Sequence, residues 1–266
     1  MTGKKTKPVA TAKISKDINS SNKEGDVAKK QLNSYTIRSR NSTAKHKFIS
    51  THGGGLVVNY QTGTTNWLKR LGNITIAGIV QDKADLDDPG KLVVEIGFGG
   101  GDVLVSQALS RPLDLFIGIE VYPTGIARVL KKIKDNNMTN VSLIQHDALE
   151  ALRDMFEDDI LDEIRVLFPD PWPKKKHHKR RLLKEDFVRT MVAKLKKGGV
   201  MHLATDWQEY AEEIMDVLTT IEKDKLIKNL FEGYADGRQM SRPITKFEQK
   251  GLNEGRQIYE FLFVKL

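Results

Sequence analysis

The clearest chemistry in this chain lies in Leu167-Phe168-Pro169-Asp170-Pro171-Trp172-Pro173-Lys174-Lys175-Lys176-His177-His178-Lys179-Arg180-Arg181. An apolar stretch ends in a carboxylate set between prolines, then meets an aromatic ring and eight consecutive basic or imidazole side chains. Proline fixes φ, so Asp170 and Trp172 are presented with little conformational freedom. The basic run can contact phosphates and make binding salt-dependent. Alone, such a run usually marks a solvated face. Joined to a rigid carboxylate at a strand end, it suggests that a nucleic acid is brought to a reactive position. Trp172 can stack on a base or pack under its own loop, and the sequence leaves both open.

A second motif, Val94-Glu95-Ile96-Gly97-Phe98-Gly99-Gly100-Gly101-Asp102, reads as a strand entering a glycine-rich turn ahead of a helix over Val103–Leu109. Glycine at Gly97 and Gly99 lets the backbone approach a ligand closely. Glu120 follows nineteen residues after Gly101, at the end of the next strand candidate, where a carboxylate can accept from both ribose hydroxyls. Together these describe a nucleoside pocket rather than only a tight turn and a solvated strand end. The dinucleotide pattern G-x-G-x-x-G wants glycine where this chain has Asp102, which disfavours NAD. Glu95 suits a ligand with a cationic amino end, as in S-adenosylmethionine. Asp147, in Gln145-His146-Asp147-Ala148, adds a carboxylate that can accept from an adenine amino group. Three carboxylates at one site repel a polyphosphate.

These residues need strands to carry them. Strand candidates are Leu92–Ile96, Leu115–Ile119, Val141–Gln145, Ile164–Phe168, Val200–Ala204 and Ile258–Val264, each short and rich in Val, Ile or Leu. Helical spacing runs through Thr124–Asp135, Leu149–Asp158, Lys184–Lys197 and Trp207–Thr219, with Gly198-Gly199 expected to end one helix at its C-cap. The alternation implies an α/β, doubly wound, mostly parallel sheet whose ligand site lies at the carboxyl ends of the strands. Upstream, Asn66 to Val80 is expected to form a short packed segment, and Gln81 to Gly90 an acidic linker.

Charge is uneven along the chain. Residues 1–50 hold 12 Lys or Arg against 3 Asp or Glu, while the other 31 basic and 32 acidic residues nearly cancel, so the net +8 is carried by the N-terminus. Residues 1–35 are expected to be a mobile basic arm, too polar to order themselves. Residues 36–90 read as an N-terminal extension and linker, and 91–266 as the domain proper. There is no long apolar run, so no membrane span or secretory signal is read, and a soluble protein is expected. Cysteine is absent, which excludes thiolate metal sites and cysteine nucleophiles and fits the cytoplasm. His177 and His178 adjoin lysines rather than forming a ligand set, so no metal is expected.

From about Leu92 to Val264 the sequence resembles the transfer RNA guanine-N7 methyltransferases. The two motifs carry the likeness, with Thr205-Asp206-Trp207 and Arg242-Pro243-Ile244-Thr245-Lys246-Phe247-Glu248 following in order. The resemblance implies a Rossmann-like class I methyltransferase domain over 91–266. S-adenosylmethionine would be held by Glu95, Gly97, Gly99, Glu120, Asp147 and Asp170, with Asp170 also catalytic. Lys174, Asp206, Thr245, Lys246, Phe247 and Glu248 would contact a tRNA substrate, with the variable-loop guanosine as the target. A monomer is expected, with the need for a non-catalytic partner subunit left open.

The chain departs from the family in two places. It has Ile37-Arg38-Ser39-Arg40 and His52-Gly53-Gly54-Gly55 where an Arg-Gln-Gly-Arg-like string is usual, and Gly100 stands where a larger residue is common, which is expected to loosen the loop. Two rival readings are an adenine amino-methyltransferase and an RNA-binding scaffold with a vestigial pocket. The first wants a second proline between acid and aromatic, and the second does not account for four intact carboxylates.

Overall fold

The computed structural model describes residues 42–76 and 90–266. The basic arm, Ile37–Arg40, and residues 81–89 of the expected linker lie outside the described residues. Seven strands form one sheet in the order β3-β2-β1-β4-β5-β7-β6. β1 (Leu92–Ile96), β2 (Leu115–Ile119), β3 (Val141–Ile144), β4 (Leu161–Leu167) and β5 (Leu195–Thr205) run parallel. β7 (Tyr259–Lys265) lies antiparallel between β5 and the short β6 (Ile227–Asn229).

Both faces of the sheet are covered, as the near-continuous apolar strands require. Alternate residues of β1 divide between two cores. Leu92, Val94 and Ile96 pack into one, and Val93 into the other, because successive strand side chains point to opposite faces. The first core takes α5 (Ala148–Met155), α6 (Glu185–Lys194) and α7 (Gln208–Lys223). The second takes α3 (Asp102–Ser110) and α4 (Pro123–Asp135). β2 and β3 build out from one side of β1 and β4 and β5 from the other. The chain therefore reverses direction at β1, and a crevice opens above the strand ends there.

The described residues before β1 dock on this body. α1 (Ser42–His52) lies against α4 and brings Phe48 and Ile49 onto the second core. Val57 then forms a parallel bridge to Leu143 of β3. α2 (Trp67–Ile76) buries Trp67 in the first core, where its indole nitrogen donates to the Met155 carbonyl at 2.9 Å and its ring stacks on Phe156.

Gly198 and Gly199 do not end a helix, because α6 stops at Lys194 and the chain turns extended at Leu195. The two glycines belong to β5, where pairing with β4 jumps from Leu161–Leu195 to Glu163–Val200. The extra residues bulge outward. Gly198 has φ +78, and a Cβ on Gly199 would come within 2.9 Å of the Leu161 carbonyl oxygen.

Candidate active site

At the β1–α3 turn the backbone is left-handed at Gly97, Gly99 and Gly101. Gly101 is needed for a second reason, since a Cβ there would come within 2.1 Å of Val129 Cγ2 on α4. Lys132 Nζ donates to the Gly100 carbonyl at 2.9 Å and pairs with Asp102 at 2.6 Å, tying the turn to α4.

Three carboxylates stand beside this turn, each held differently. Glu120 Oε2 accepts from Gly99 N at 3.0 Å, and its Oε1 accepts from Val121 N and Tyr122 N at 2.8 and 3.0 Å. The side chain thus shapes the glycine turn while retaining acceptor capacity. Burial raises its pKa, and the three backbone N–H groups oppose that rise. Asp147 caps α5, its Oδ1 accepting from Leu149 N at 3.0 Å and Glu150 N at 3.3 Å. Glu95 is buried, and its Oε2 has no hydrogen-bond partner. Burial pushes its pKa up to about 7, partly offset by Arg165, its register partner on β4.

The loop after β4 is clamped at both ends. Phe168 and Trp172 have φ of +53 and +44, an uncommon conformation for bulky residues that costs on the order of 1–3 kcal/mol each. Phe168 N donates to Ala204 O at 2.8 Å, and the Arg242 guanidinium lies 5.5 Å from its ring. At the far end Arg181 Nε donates to Pro171 O at 2.9 Å. Asp170 is exposed between these anchors. The Arg180 guanidinium sits 5.0 Å from the Trp172 ring, and His177 meets it edge-on at 5.8 Å, so the indole is packed by the basic stretch and also lines the crevice.

That stretch forms a 3-10 helix over Lys175–Arg180 and divides by burial. Lys174, Lys175, Lys176 and Lys179 are exposed. Arg181 is buried and pairs with Glu213, while His178 lies between Arg181 at 3.1 Å and Glu209 at 3.6 Å. Arg181 therefore holds the loop to α7 instead of reaching a phosphate, correcting the reading of all eight side chains as available.

Two adjoining cavities fill the crevice. One, of about 190 Å³, is lined by Gly97, Glu120, His146, Asp147, Asp170 and Trp172 among others. The other, of about 300 Å³, reaches Glu95, Gly99, Asp102, Arg128 and Lys246. Phe247, 61% exposed, lines both and overhangs the site from α8 (Lys246–Asn253). A larger groove of about 550 Å³ lies at Leu115 and Val141, the opposite ends of the strands, beside Lys69 and Arg70.

Glu95, Gly97, Gly99, Glu120, Asp147, Asp170, Thr245, Lys246 and Phe247 are thus brought to one crevice. Lys174 stays outside it on the exposed basic face. Asp206 lines a separate groove and accepts from Arg256 Nε at 2.9 Å. Glu248 is buried, forms a capping box with Thr245 and pairs with Arg242 and Arg238. The sequence reading did not single out Tyr122, His146 or Arg180 as lining residues. Tyr122 and His146 were findable from their positions next to the strand-end acids. Among the described residues no group of three His, Asp or Glu side chains could hold a metal, and no helix is long and apolar enough to cross a membrane.

Comparison with known proteins agrees with this geometry. The family model described as "Putative methyltransferase" matches residues 89–261. The tRNA (guanine-N(7)-)-methyltransferase of Bordetella pertussis is 44% identical over 64% of this chain and 66% of its own length. The protein of that name from Burkholderia mallei is 37% identical over 89% of this chain and 83% of its own length. The one from Paracidovorax citrulli is 37% identical over 90% and 89%. With nine of the expected residues gathered at the strand ends and relatives matching across most of its length, the chain belongs to the tRNA (guanine-N(7)-)-methyltransferase family.

Proposed function

We infer that this protein transfers the methyl group of S-adenosylmethionine to N7 of a guanine in tRNA, with the variable-loop guanosine as its target. One observation carries the reading: a clamped loop holds Asp170 exposed at the rim of a carboxylate-lined crevice, with Lys174, Lys175, Lys176 and Lys179 exposed just beyond it. The crevice fits the cofactor's chemistry. The unpartnered Glu95 Oε2 suits an ammonium group, the spare acceptor capacity of Glu120 suits ribose hydroxyls, and Asp147 suits the adenine amino group. When bound, S-adenosylmethionine supplies a methyl group made electrophilic by its sulfonium.

Guanine N7 carries an unprotonated lone pair, so no base need remove a proton before attack. The residues have to align the acceptor and stabilise charge as it develops on the purine. Asp170 can accept hydrogen bonds from guanine N1–H and the exocyclic amino group, and its negative charge favours the cationic product. Lys174, Lys246 and Phe247 contact the RNA. Thr245 and Glu248 support them by capping α8, and Asp206 does so through Arg256. The methyltransferase unit is 91–266, with residues 36–90 as its extension and the basic arm 1–35 adding positive charge. The enzyme works as a cytoplasmic monomer.

The test incubates the purified chain with methyl-labelled S-adenosylmethionine and unmodified tRNA, then identifies the labelled nucleoside. Label in 7-methylguanosine is the expected result, and its appearance with the chain alone shows that no partner subunit is required. Label on adenine would overturn the reading.

Glu95 gives a pH prediction. In the free protein its folded pKa of about 7 lies above the ordinary 4.5, so its contribution to stability falls as pH rises between those values and is lost above about 7. A cationic ligand needs the carboxylate. Below pH 7 Glu95 must therefore release its proton on binding, and affinity for S-adenosylhomocysteine is expected to fall about tenfold per pH unit. Calorimetry in buffers of different ionisation enthalpy should detect that proton, and Glu95→Gln should abolish its release. Affinity that stays flat from pH 5 to 7 would show that Glu95 does not meet the ammonium.

A further inference from the structure

His146 lines the crevice directly before Asp147, the residue that suits the adenine end. It is held from two sides. Its Nε2 lies 2.5 Å from Glu150 Oε2, one turn along α5. Its ring is covered by Tyr60, with centroids 3.7 Å apart and planes within 7°. Tyr60 belongs to the segment before β1, outside the 89–261 stretch that the family model matches.

That segment is fixed well enough to place a ring. Leu143 N donates to Leu56 O and Val58 N to Leu143 O, both at 2.8 Å. Further on, Gly63 N donates to Asp154 O at 3.2 Å and Thr65 N to Met155 O at 2.9 Å. Between these anchors the Tyr60 hydroxyl donates to Asp154 Oδ2 at 2.5 Å. The ring is thus tied at both ends to the β3–α5 unit whose junction carries His146 and Asp147. With Tyr60 in place the imidazole keeps only 11% of its side-chain surface. Without it, one face of the imidazole would lose its cover and the Glu150 contact would carry more of the task of holding the ring.

We propose that Tyr60 is a cofactor-positioning residue, acting through His146 to hold an aromatic wall at the adenine end of the crevice. This rests on the crevice being the S-adenosylmethionine site. An aromatic pair is worth about 0.5–1.5 kcal/mol beyond its buried area, so losing the positioning it provides costs a binding constant at most about twelvefold.

The experiment uses the full chain with Tyr60→Leu, Tyr60→Phe, His146→Ala and the Tyr60→Leu/His146→Ala pair. It measures S-adenosylhomocysteine affinity by calorimetry, the KM for S-adenosylmethionine, kcat, the KM for tRNA and the thermal midpoint. Tyr60→Leu should weaken S-adenosylhomocysteine binding and raise the KM for S-adenosylmethionine roughly three- to tenfold, with kcat and the KM for tRNA unchanged. Tyr60→Phe, which keeps the ring and loses the bond to Asp154, should retain near wild-type affinity. His146→Ala should match Tyr60→Leu, and the pair should add little to either change alone.

A folded Tyr60→Leu protein with wild-type affinity overturns the proposal, as does a loss confined to kcat. If Tyr60→Leu fails to fold, His146→Ala decides, and unchanged affinity there overturns the proposal equally. Wild-type protein that binds no S-adenosylhomocysteine would remove the cofactor reading itself, a failure separate from an indifferent Tyr60→Leu in a protein that binds.

Discussion

Asp170→Ala is expected to lower turnover of tRNA by about 10²- to 10³-fold, the range for removing a preorganised electrostatic partner of a transition state. S-adenosylhomocysteine affinity should change little, because Glu95, Glu120 and Asp147 hold the rest of the crevice. The loop is clamped through Phe168 N on Ala204 O and Arg181 Nε on Pro171 O, and an unchanged circular dichroism spectrum and Tm for Asp170→Ala check that it survives the change. Single-turnover rates with saturating RNA separate a chemical defect from a binding one. Asp170→Asn then divides the role further. Full turnover in the amide would mean that orientation of the purine matters and charge does not. Loss comparable to alanine would assign the effect to the negative charge facing the cationic product. Wild-type turnover in Asp170→Ala would remove Asp170 from the chemistry.

The second large effect concerns stability. Arg242 is buried between two carboxylates, pairing with Glu248 and Glu260, and Glu260 also meets the buried His202 at 2.9 Å. Removing the guanidinium leaves Glu248 to Arg238 and Glu260 to His202 and takes away the one charge that bridges the two buried acids, a break that costs about 3–5 kcal/mol. For a domain of this size that corresponds to a fall in Tm of roughly 6–20 °C, readable by circular dichroism. Arg242→Lys keeps the charge but cannot bridge both acids with a planar fork, so an intermediate fall is expected. The guanidinium also supports Phe168, so Arg242→Lys, assayed below its transition, should lose turnover. A Tm within about 2 °C of wild type for Arg242→Ala would show that this network contributes little to stability.

Both predictions concern residues visible in the sequence, yet only one role could be read there. Asp170 stood out because prolines, an aromatic and lysines surrounded it locally. β1 and β2 were likewise bounded correctly, since apolar runs ending in Gly or an acid are local signals. The apolar run places the start of β4 at Ile164, but the strand begins at Leu161. Its charged Glu163 and Arg165 look like surface residues until each other and Arg111 are found beside them. Thr245-Lys246-Phe247-Glu248 carried a legible capping-box spacing, but the segment was read only as an RNA contact. The turn chemistry makes Glu248 an internal residue. Arg181 looks like the last of eight equivalent basic or imidazole side chains, and its contact with Glu213, 32 residues away, helps to set it apart. Tyr60 offered no local signal, since its partners His146 and Asp154 lie far along the chain.

The topology also governs the order in which a nascent chain can be completed. Trp67 leaves the ribosome early, but its hydrogen-bond partner Met155 lies 88 residues later. At about 5–20 residues per second that is roughly 4–18 s of waiting with a large aromatic ring uncovered. The sheet closes later still. Of the described strands β7 comes last in the chain, yet it lies between β5 and β6, so β5 lacks its neighbour on that side and β6 has none until β7 has been made. Cutting the chain just before Tyr259 would leave β5 with an open flank, and a ribosome stalled there would display that flank to any other unfinished chain nearby.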